Sequence, residues 1–274
     1  MRLPNKANKQ EMAFANSDLK LGTSTEYERN DTPFVVENID VLTPVRKFYD
    51  GQSIFITGGT GFMGKLLIEK LFRGCSGINC IFLLIRPKKE KSVLERMEEI
   101  IDDLLFSTLK KEQPEFQNRL VAIEGDCSLL NLGISTSDRD RLIREVSIVF
   151  HLAATVRFNE KIKTAGAINV RSLKDMMYLS KEMSKLKSFV HVSSVYANCL
   201  QNPIEEKFYD PPMDADKFID LMDCMDEKML DGITPQLLGL WPNREVYTKS
   251  IAENIVKRHA RLMRIGIFHT GIAL

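Results

Sequence analysis

Residues 53–64 read SIFITGGTGFMG, and the helical pattern KLLIEKLF follows at residues 65–72. A short β-branched apolar run that breaks into glycines and then into a helix is typical of a nucleotide-binding strand, loop and helix. The glycines would let the backbone turn tightly and approach a pyrophosphate, whose charge the free N–H groups at the helix start would bind. We therefore predict that a dinucleotide cofactor contacts Thr57, Gly58, Thr60, Gly61, Phe62, Met63 and Gly64. A plain strand-to-helix turn is the alternative.

Apolar segments with strand signals recur along the chain, and helical patterns separate them. They lie at residues 54–56, 80–85, 120–123, 148–152, 189–192 and 265–268. Near-continuous apolar strands that alternate with helices indicate a parallel sheet covered on both faces, and right-handed crossovers then produce the doubly wound order. The expected fold class is thus α/β, a doubly wound parallel sheet of the Rossmann type. The glycine spacing within TGGTGFMG resembles the extended branch of the short-chain dehydrogenases/reductases.

The domain organisation is predicted from changes in composition along the chain. Residues 1–32 are polar and aperiodic, so we expect a disordered leader, with order beginning near Phe34 in a domain over residues 33–274. Residues 200–243 carry several prolines and acidic clusters that interrupt the alternation of strands and helices. We expect this segment to be an insertion that forms a lid over the substrate cleft, although a long insertion can also be merely flexible.

The composition fits an enzyme-like domain and excludes several other classes. The chain has 274 residues, is 44% hydrophobic and 27% charged, and carries a net charge of +1. It can therefore bury a full core, but it offers no basic field for nucleic acid. No stretch reaches the apolar length of a membrane span, and the first residues lack the apolar region of a signal peptide. The five cysteines are scattered without CxxC pairs, which indicates reduced thiols in a cytosol-facing protein.

The end of the second strand indicates which nicotinamide cofactor is used. An NAD site places a carboxylate there for the ribose 2′-OH, whereas a 2′-phosphate calls for arginine. This strand ends in Arg86 and Lys88 without a carboxylate, which predicts NADPH, with a solvated basic turn as the alternative. After the third strand, Asp126 could accept a hydrogen bond from the adenine amino group or form an ordinary Asx-turn. Ala153 and Ala154 follow the fourth strand and would keep the cofactor channel open.

Longer phrases occur in a characteristic order over residues 47–260. They include IFLLIRPKK, VAIEGDCSLLNLGIS, VSIVFHLAATVRFNEKIKTAGAINVRS, FVHVSSVYANC, and ITPQLLGLWPN before YTKSIAEN. Together these phrases resemble the cofactor-binding domain of the alcohol-forming fatty acyl-CoA reductases of eukaryotes, insects especially. The resemblance implies that NADPH reduces a long-chain acyl-CoA through an aldehyde to a primary alcohol. It also implies association with the surface of the endoplasmic reticulum or peroxisome.

Reduction of a carbonyl group places negative charge on its oxygen, which a hydrogen-bond donor or a proton must meet. The resemblance implies that Ser194, with Ser193 as its neighbour, and Lys249 form this site, and that Lys249 also binds the cofactor. The tyrosine expected four residues before Lys249 is replaced by Glu245. Tyr247 is the nearest phenol and the remaining candidate for the catalytic tyrosine, but residues two apart on a helix are turned by about 200°. Tyr247 should therefore point away from Lys249.

Glu245 and Lys249 are spaced for an ion pair on one face of a helix. A carboxylate accepts hydrogen bonds but does not donate them at neutral pH, so we expect the mechanism of the resembling family to be impaired. His151 and His191 lie within apolar strands and are expected to be core residues rather than catalysts.

Two functions follow from this reading. The first is NADPH-dependent reduction of long-chain fatty acyl-CoA. The alternative is a cofactor-binding but catalytically impaired fragment or pseudoenzyme that acts by associating with a full-length homologue or a membrane surface. The alternative is favoured by Glu245 and by a chain end that, compared with the family, lacks the C-terminal substrate-binding and membrane-associated portion. A reductase or epimerase of sugars or steroids fits the glycine loop but not the longer phrases.

Overall fold

The computed structural model describes residues 43–88 and 90–271. The predicted leader over residues 1–32 and the start of order near Phe34 lie outside the described residues. The strands are β1 Ser53–Thr57, β2 Cys80–Ile85, β3 Leu120–Glu124, β4 Ile148–His151, β5 Ser188–Ser194 and β6 Ile265–Thr270. The helices are α1 Pro44–Tyr49, α2 Phe62–Gly74, α3 Val93–Ile101, α4 Ser107–Glu112, α5 Thr136–Glu145, α6 Ile162–Gly166, α7 Ser172–Glu182, α8 Ala215–Cys224, α9 Glu227–Leu238 and α10 Arg244–His259.

The strands form one six-stranded sheet in the order β3-β2-β1-β4-β5-β6. Every neighbouring pair is parallel, and the register of β1 places Thr57 beside Leu84 of β2 and beside His151 of β4. This is the doubly wound order, and the prediction of an α/β Rossmann-type fold is confirmed. The strand order reverses between β1 and β4, and ligands of such sheets bind outside the carboxyl ends of the strands at that point.

Helices cover both faces of the sheet and bury two separate apolar cores. Phe55 of β1 belongs to the core that includes residues of α7, α8 and α10. Its neighbours Ile54 and Ile56 point to the opposite face and belong to the core that includes residues of α2 and α3. Because β1 is buried on both faces, its sequence is a continuous apolar run rather than an alternating one.

The segment over residues 200–243 differs from the predicted lid. Residues 215–238 fold into α8 and α9, which bury Phe218, Ile219, Met222 and Leu230 in the same core as α10. These two helices are therefore part of the body of the domain. The prolines misled the prediction because Pro203, Pro211 and Pro212 precede the helices, and a lid role stays a prediction only for residues 200–214, which hold no helix or strand.

Two short segments near the carboxyl edge of the sheet belong to neither the strands nor the α-helices. A π-turn, Ala167–Arg171, joins α6 to α7, and a 3-10 turn, Val195–Asn198, follows β5 directly. Within the described residues, no helix is both long enough and apolar enough to cross a membrane.

Candidate active site

The loop between β1 and α2 presents bare backbone at the centre of the carboxyl edge of the sheet. Gly58 has φ +76°, and a Cβ placed there would lie 2.7 Å from the Ala153 backbone nitrogen. A Cβ on Gly64 would overlap the Gly58 carbonyl oxygen, so the helix packs directly on the loop. Gly61 is the N-cap of α2 and offers no side chain to its first N–H groups, which include those of Phe62 and Met63. This loop fits a phosphate group, because backbone N–H groups at the start of α2 have no side-chain cap and can bind an anion.

An open groove of about 490 Å³ runs along this edge of the sheet. Most of the predicted cofactor residues line it, namely Gly58, Thr60, Gly61, Arg86, Asp126, Ala153 and Ala154. Phe62, Met63 and Gly64 lie in the first turn of α2 beside the groove rather than in its lining. The groove continues past Thr155 to Thr164 and Ile168, which the sequence reading did not single out.

Thr57 does not face the groove, and its predicted contact with the cofactor is therefore corrected. Its buried Oγ1 is 2.8 Å from Nδ1 of His151 and accepts a hydrogen bond from the Ala153 backbone nitrogen at 3.3 Å. Thr57 thus ties the end of β1 to the end of β4 and supports the loop from behind. Burial lowers the pKa of His151 to about 3, so this ring is neutral and belongs to the core.

Two arginines lie at the end of the groove next to β2. The Arg86 Nε is 3.7 Å from Oδ2 of Asp126, and Arg96 of α3 donates to the Arg86 carbonyl oxygen. Oδ1 of Asp126 accepts hydrogen bonds from the backbone nitrogen and from the hydroxyl of Ser128, each at 2.8 Å. These bonds form the Asx-turn that the sequence offered as the alternative role of Asp126. Both arginines line the groove. Arg96 was missed because it lies eleven residues after the end of β2, within a helix, where an arginine carries no pattern of its own.

Helix α10 buries two charged side chains of the predicted site one helical turn apart. Glu245 is 9% exposed and Lys249 is 7% exposed. The predicted ion pair between them is wrong, because no salt bridge within 4.0 Å joins them among the described residues. Burial lowers the pKa of Lys249, against the raising effect of Glu245 and Glu253. Burial raises the pKa of Glu245, against the lowering effect of Lys249.

Tyr247 lies in the apolar core, and its candidacy as a catalytic residue is corrected. The side chain is 1% exposed, and its ring centroid is 6.0 Å from that of Phe218 and 6.3 Å from that of Trp241. Burial raises its pKa to about 12. A phenol in this position is neither near the groove nor easily ionised.

Ser193 and Ser194 at the end of β5 have different partners. Ser193 is fully buried and donates to Oε1 of Glu253 at 2.6 Å. Ser194 is 8% exposed, and its Oγ accepts from the backbone nitrogen of Tyr196 at 3.2 Å, which starts the 3-10 turn. The hydroxyl hydrogen of Ser193 is therefore already donated to Glu253 of α10, whereas the hydroxyl hydrogen of Ser194 remains available to a ligand.

Glu253 is a site residue that the sequence reading missed. Besides the Ser193 hydroxyl, its carboxylate accepts from the Asn198 amide at 3.0 Å and contacts Nε2 of His269 at 2.8 Å. It joins α10, β5, the 3-10 turn and β6 in one buried network. Its position one helical turn after Lys249 could have indicated a shared face, but not its partners on the sheet.

Asn169 on the π-turn was also missed. Its amide oxygen accepts from the Thr155 backbone nitrogen at 2.9 Å, and its amide nitrogen donates to Oγ1 of Thr248 at 2.9 Å. Asn169 thereby links Thr155, in the wall of the groove after β4, to Thr248 of α10. Thr248 is the residue before Lys249. π-Turns inside helices are frequent at functional sites, which agrees with this placement.

The sheet order, the glycine loop and the groove define a nicotinamide-cofactor-binding domain of the Rossmann class. The family model described as "Male sterility protein" matches residues 56–274. The chain belongs to this family.

Proteins named fatty acyl-CoA reductase are similar to this chain. "Fatty acyl-CoA reductase wat" of Drosophila melanogaster is 40% identical over 240 residues, which cover 88% of this chain and 46% of that protein. "Fatty acyl-CoA reductase 1" of Xenopus laevis is 41% identical over 231 residues, which cover 84% of this chain and 45% of that protein. The chain thus spans about half the length of the curated relatives it matches.

Solved structures with the same fold include reductase domains of biosynthetic assembly lines. The terminal R domain from the myxalamid PKS-NRPS biosynthetic pathway superposes with a TM-score of 0.59 at 23% identity, covering 81% of this chain and 49% of that one. The reductase domain of a nonribosomal peptide synthetase from Mycobacterium tuberculosis has a TM-score of 0.56 at 21% identity, covering 81% and 48%. At these identities the likeness shows the fold alone.

Proposed function

We propose that this protein reduces long-chain fatty acyl-CoA with NADPH. The observation that carries the proposal is the groove, which combines a bare glycine loop, two arginines at its β2 end and a wall at Thr155 that Asn169 ties to α10, the helix that holds Lys249. Relatives named fatty acyl-CoA reductase support the substrate class. A bound reduced nicotinamide would supply hydride, and the chain would bind the cofactor, orient the carbonyl and meet the charge on its oxygen.

The proposed cofactor is NADPH rather than NADH. A 2′-phosphate carries charge that Arg86 and Arg96 could bind from two sides, whereas no carboxylate is free there to bind a ribose 2′-OH. Asp126 is the nearest carboxylate, and it is already engaged by Ser128 and Arg86. The adenine contact of Asp126 and the cofactor contact of Lys249 are part of the same proposal.

A second cavity of about 680 Å³ supports the acyl substrate. It adjoins Glu253, within α10, and His269, near the end of β6. Its other lining residues are five apolar side chains and three charged ones, namely Val195, Ile204, Phe208, Ile267 and Phe268 with Glu205, Glu206 and Lys207. Apolar walls beside a polar cluster suit a long alkyl chain that ends in a thioester.

The test is the oxidation of NADPH by the purified protein in the presence of hexadecanoyl-CoA, with hexadecanal and hexadecanol identified by mass spectrometry. Lys249→Met should abolish turnover, and Glu182→Gln, which alters a surface ion pair with Arg139, should not. Binding of NADPH without any product would contradict the proposed activity and favour the cofactor-binding, impaired alternative.

A further inference from the structure

The loop between β4 and α6, residues 152–161, forms one wall of the groove and carries a third arginine, Arg157, in that wall. The loop begins directly against the glycine loop, because a Cβ on Gly58 would lie 2.7 Å from the Ala153 backbone nitrogen. Arg157 follows Ala153 by four residues, so its Cα atom lies within about 14 Å of that contact. A long side chain from this position borders the same groove as the glycine loop.

Hydrogen bonds hold the backbone of the β4–α6 loop on both sides of Arg157. Before it, the Thr155 backbone nitrogen donates to the Asn169 amide oxygen at 2.9 Å, and the Thr155 carbonyl oxygen accepts from the Asn169 amide nitrogen at 3.3 Å. After it, the Glu160 backbone nitrogen donates to the Arg157 carbonyl oxygen at 3.2 Å. The loop is therefore already placed, and a ligand that binds Arg157 has to order little more than the side chain.

The Arg157 guanidinium pairs with no anion in the part of the chain that the structure describes. Glu160 lies three residues later in the same wall, but no salt bridge within 4.0 Å joins the two, and its Oε1 accepts instead from the next backbone nitrogen at 3.2 Å. The other groove arginines do have protein contacts. Arg86 lies 3.7 Å from Oδ2 of Asp126, and Arg96 donates to the Arg86 carbonyl oxygen. Arg157 thus has its full set of donors left for a ligand.

Arg157 lies on the opposite side of the glycine loop from the other two arginines. In the sheet, β1 lies between β2 and β4, and the glycine loop follows β1. Arg86 follows β2, whereas Arg157 follows β4. An anion at the glycine loop would meet the N–H groups at the start of α2 and, from the β4 side, a guanidinium whose fork matches two phosphate oxygens. The 2′-phosphate proposed for Arg86 and Arg96 lies toward β2, away from Arg157.

We propose that Arg157 binds a diphosphate group within the groove. The inference rests on the proposed function for its ligands, because NADPH and acyl-CoA both carry a diphosphate. The guanidinium binds the diphosphate oxygens from the β4 wall and neutralises charge that the backbone N–H groups of α2 offset only in part. Its contribution is to affinity for the diphosphate and not to the choice between NADPH and NADH.

The experiment measures binding by calorimetry for the wild type, Arg157→Ala, Arg157→Lys and the matched control Arg144→Ala. Arg144 is an exposed arginine in the last turn of α5, outside the groove and in no salt bridge among the described residues. NADPH, NADH and ADP-ribose share the diphosphate, and ADP-ribose has neither the nicotinamide nor the 2′-phosphate. CoA is titrated into protein saturated with NADP⁺, which separates its diphosphate from that of the cofactor. Melting temperatures confirm that each variant is folded.

Arg157→Ala should weaken the binding of NADPH, NADH and ADP-ribose by a common factor of about 10- to 100-fold. The ratio of NADPH to NADH affinity should stay at its wild-type value, whereas Arg86→Ala should lower that ratio. Arg157→Lys should recover part of the loss, because lysine keeps the charge but not the fork. Arg144→Ala should bind every ligand as the wild type does. A loss confined to CoA would assign the site to the diphosphate of the acyl-CoA instead of the cofactor.

Unchanged binding of all four ligands in Arg157→Ala would overturn the inference, and so would an equal loss in Arg144→Ala. A lower NADPH-to-NADH ratio in Arg157→Ala would place Arg157 at the 2′-phosphate and also overturn it. None of these measurements needs turnover. A protein that binds NADPH through Arg157 but reduces no hexadecanoyl-CoA would refute the proposed function and leave this inference standing.

Discussion

The Ser193 hydroxyl donates to Oε1 of Glu253 at 2.6 Å across 60 residues of sequence. This bond joins the end of a central strand to the helix that carries Lys249, and His269 of β6 contacts the same oxygen. The carboxyl edge of the sheet is thereby held by a buried carboxylate. Glu253 lies one helical turn after Lys249 and raises its pKa against the larger effect of burial, so this network sets part of the surroundings of Lys249.

Removal of either groove arginine should lower NADPH affinity selectively. A hydrogen bond to a charged group contributes about 1.5–3 kcal/mol, so Arg86→Ala and Arg96→Ala should each weaken NADPH binding roughly 10- to 100-fold. NADH binding should change little, because NADH lacks the 2′-phosphate. Calorimetric titration of both cofactors measures this, with Arg139→Ala of the surface pair as control. Equal wild-type affinities for the two cofactors would refute the assignment.

Alanine should have opposite effects at two glycines. In Gly58→Ala the new Cβ would meet the Ala153 backbone at a positive φ, so we expect a loss of stability of about 1–3 kcal/mol and weaker cofactor binding. In Gly232→Ala, within α9, the Cβ would meet nothing within 4 Å. This variant should gain about 0.5–1 kcal/mol from helix propensity. Urea unfolding of the two variants checks both signs, and a stable Gly58→Ala would contradict the loop geometry.

The contact between His269 and Glu253 should make stability depend on pH. The hydrogen bond to Glu253 raises the pKa of His269 above its usual 6.5. Because the folded protein then binds the proton more tightly, this contribution is complete below pH 6.5 and is lost as the pH rises through the raised value. The wild type should therefore have a larger unfolding free energy than His269→Gln, and this difference should be greater at about pH 5.5 than at about pH 9.

A double-variant comparison isolates the His269 effect. In the Glu253→Gln background the carboxylate is absent, so His269→Gln should no longer alter the pH dependence of unfolding. An unchanged pH-dependent difference in that background would show that another group is responsible. Urea unfolding at each pH is the measurement.

Tyr247 should matter for packing and not for proton transfer. Its ring contacts Phe218 and Trp241, so Tyr247→Ala should cost about 3–5 kcal/mol in unfolding free energy. Tyr247→Phe keeps the ring and should leave both stability and turnover close to wild type. A large drop of kcat in Tyr247→Phe, at unchanged melting temperature, would place the phenol in the reaction after all.

The sequence alone was sufficient for the sheet, the glycine loop and most of the groove. These features depend on local patterns: a buried parallel strand is a continuous apolar run, and the turn at Gly58 requires a residue that tolerates positive φ. Arg86, Asp126, Ala153 and Ala154 follow because the carboxyl ends of parallel strands meet at one edge. Strand ends can be found without knowing which helix packs where.

The tertiary structure decided the roles that depend on contacts between distant segments. It assigned Thr57 to the β1–β4 junction, placed Arg96 beside Arg86, and joined Ser193 to Glu253. It also placed α8 and α9 in the core, where a proline-rich composition had predicted a lid. The spacing of Glu245 and Lys249 permits an ion pair, but the rotamers that form one are set by how α10 docks on the sheet. Helix periodicity fixes which residues share a face, whereas only packing fixes what that face meets.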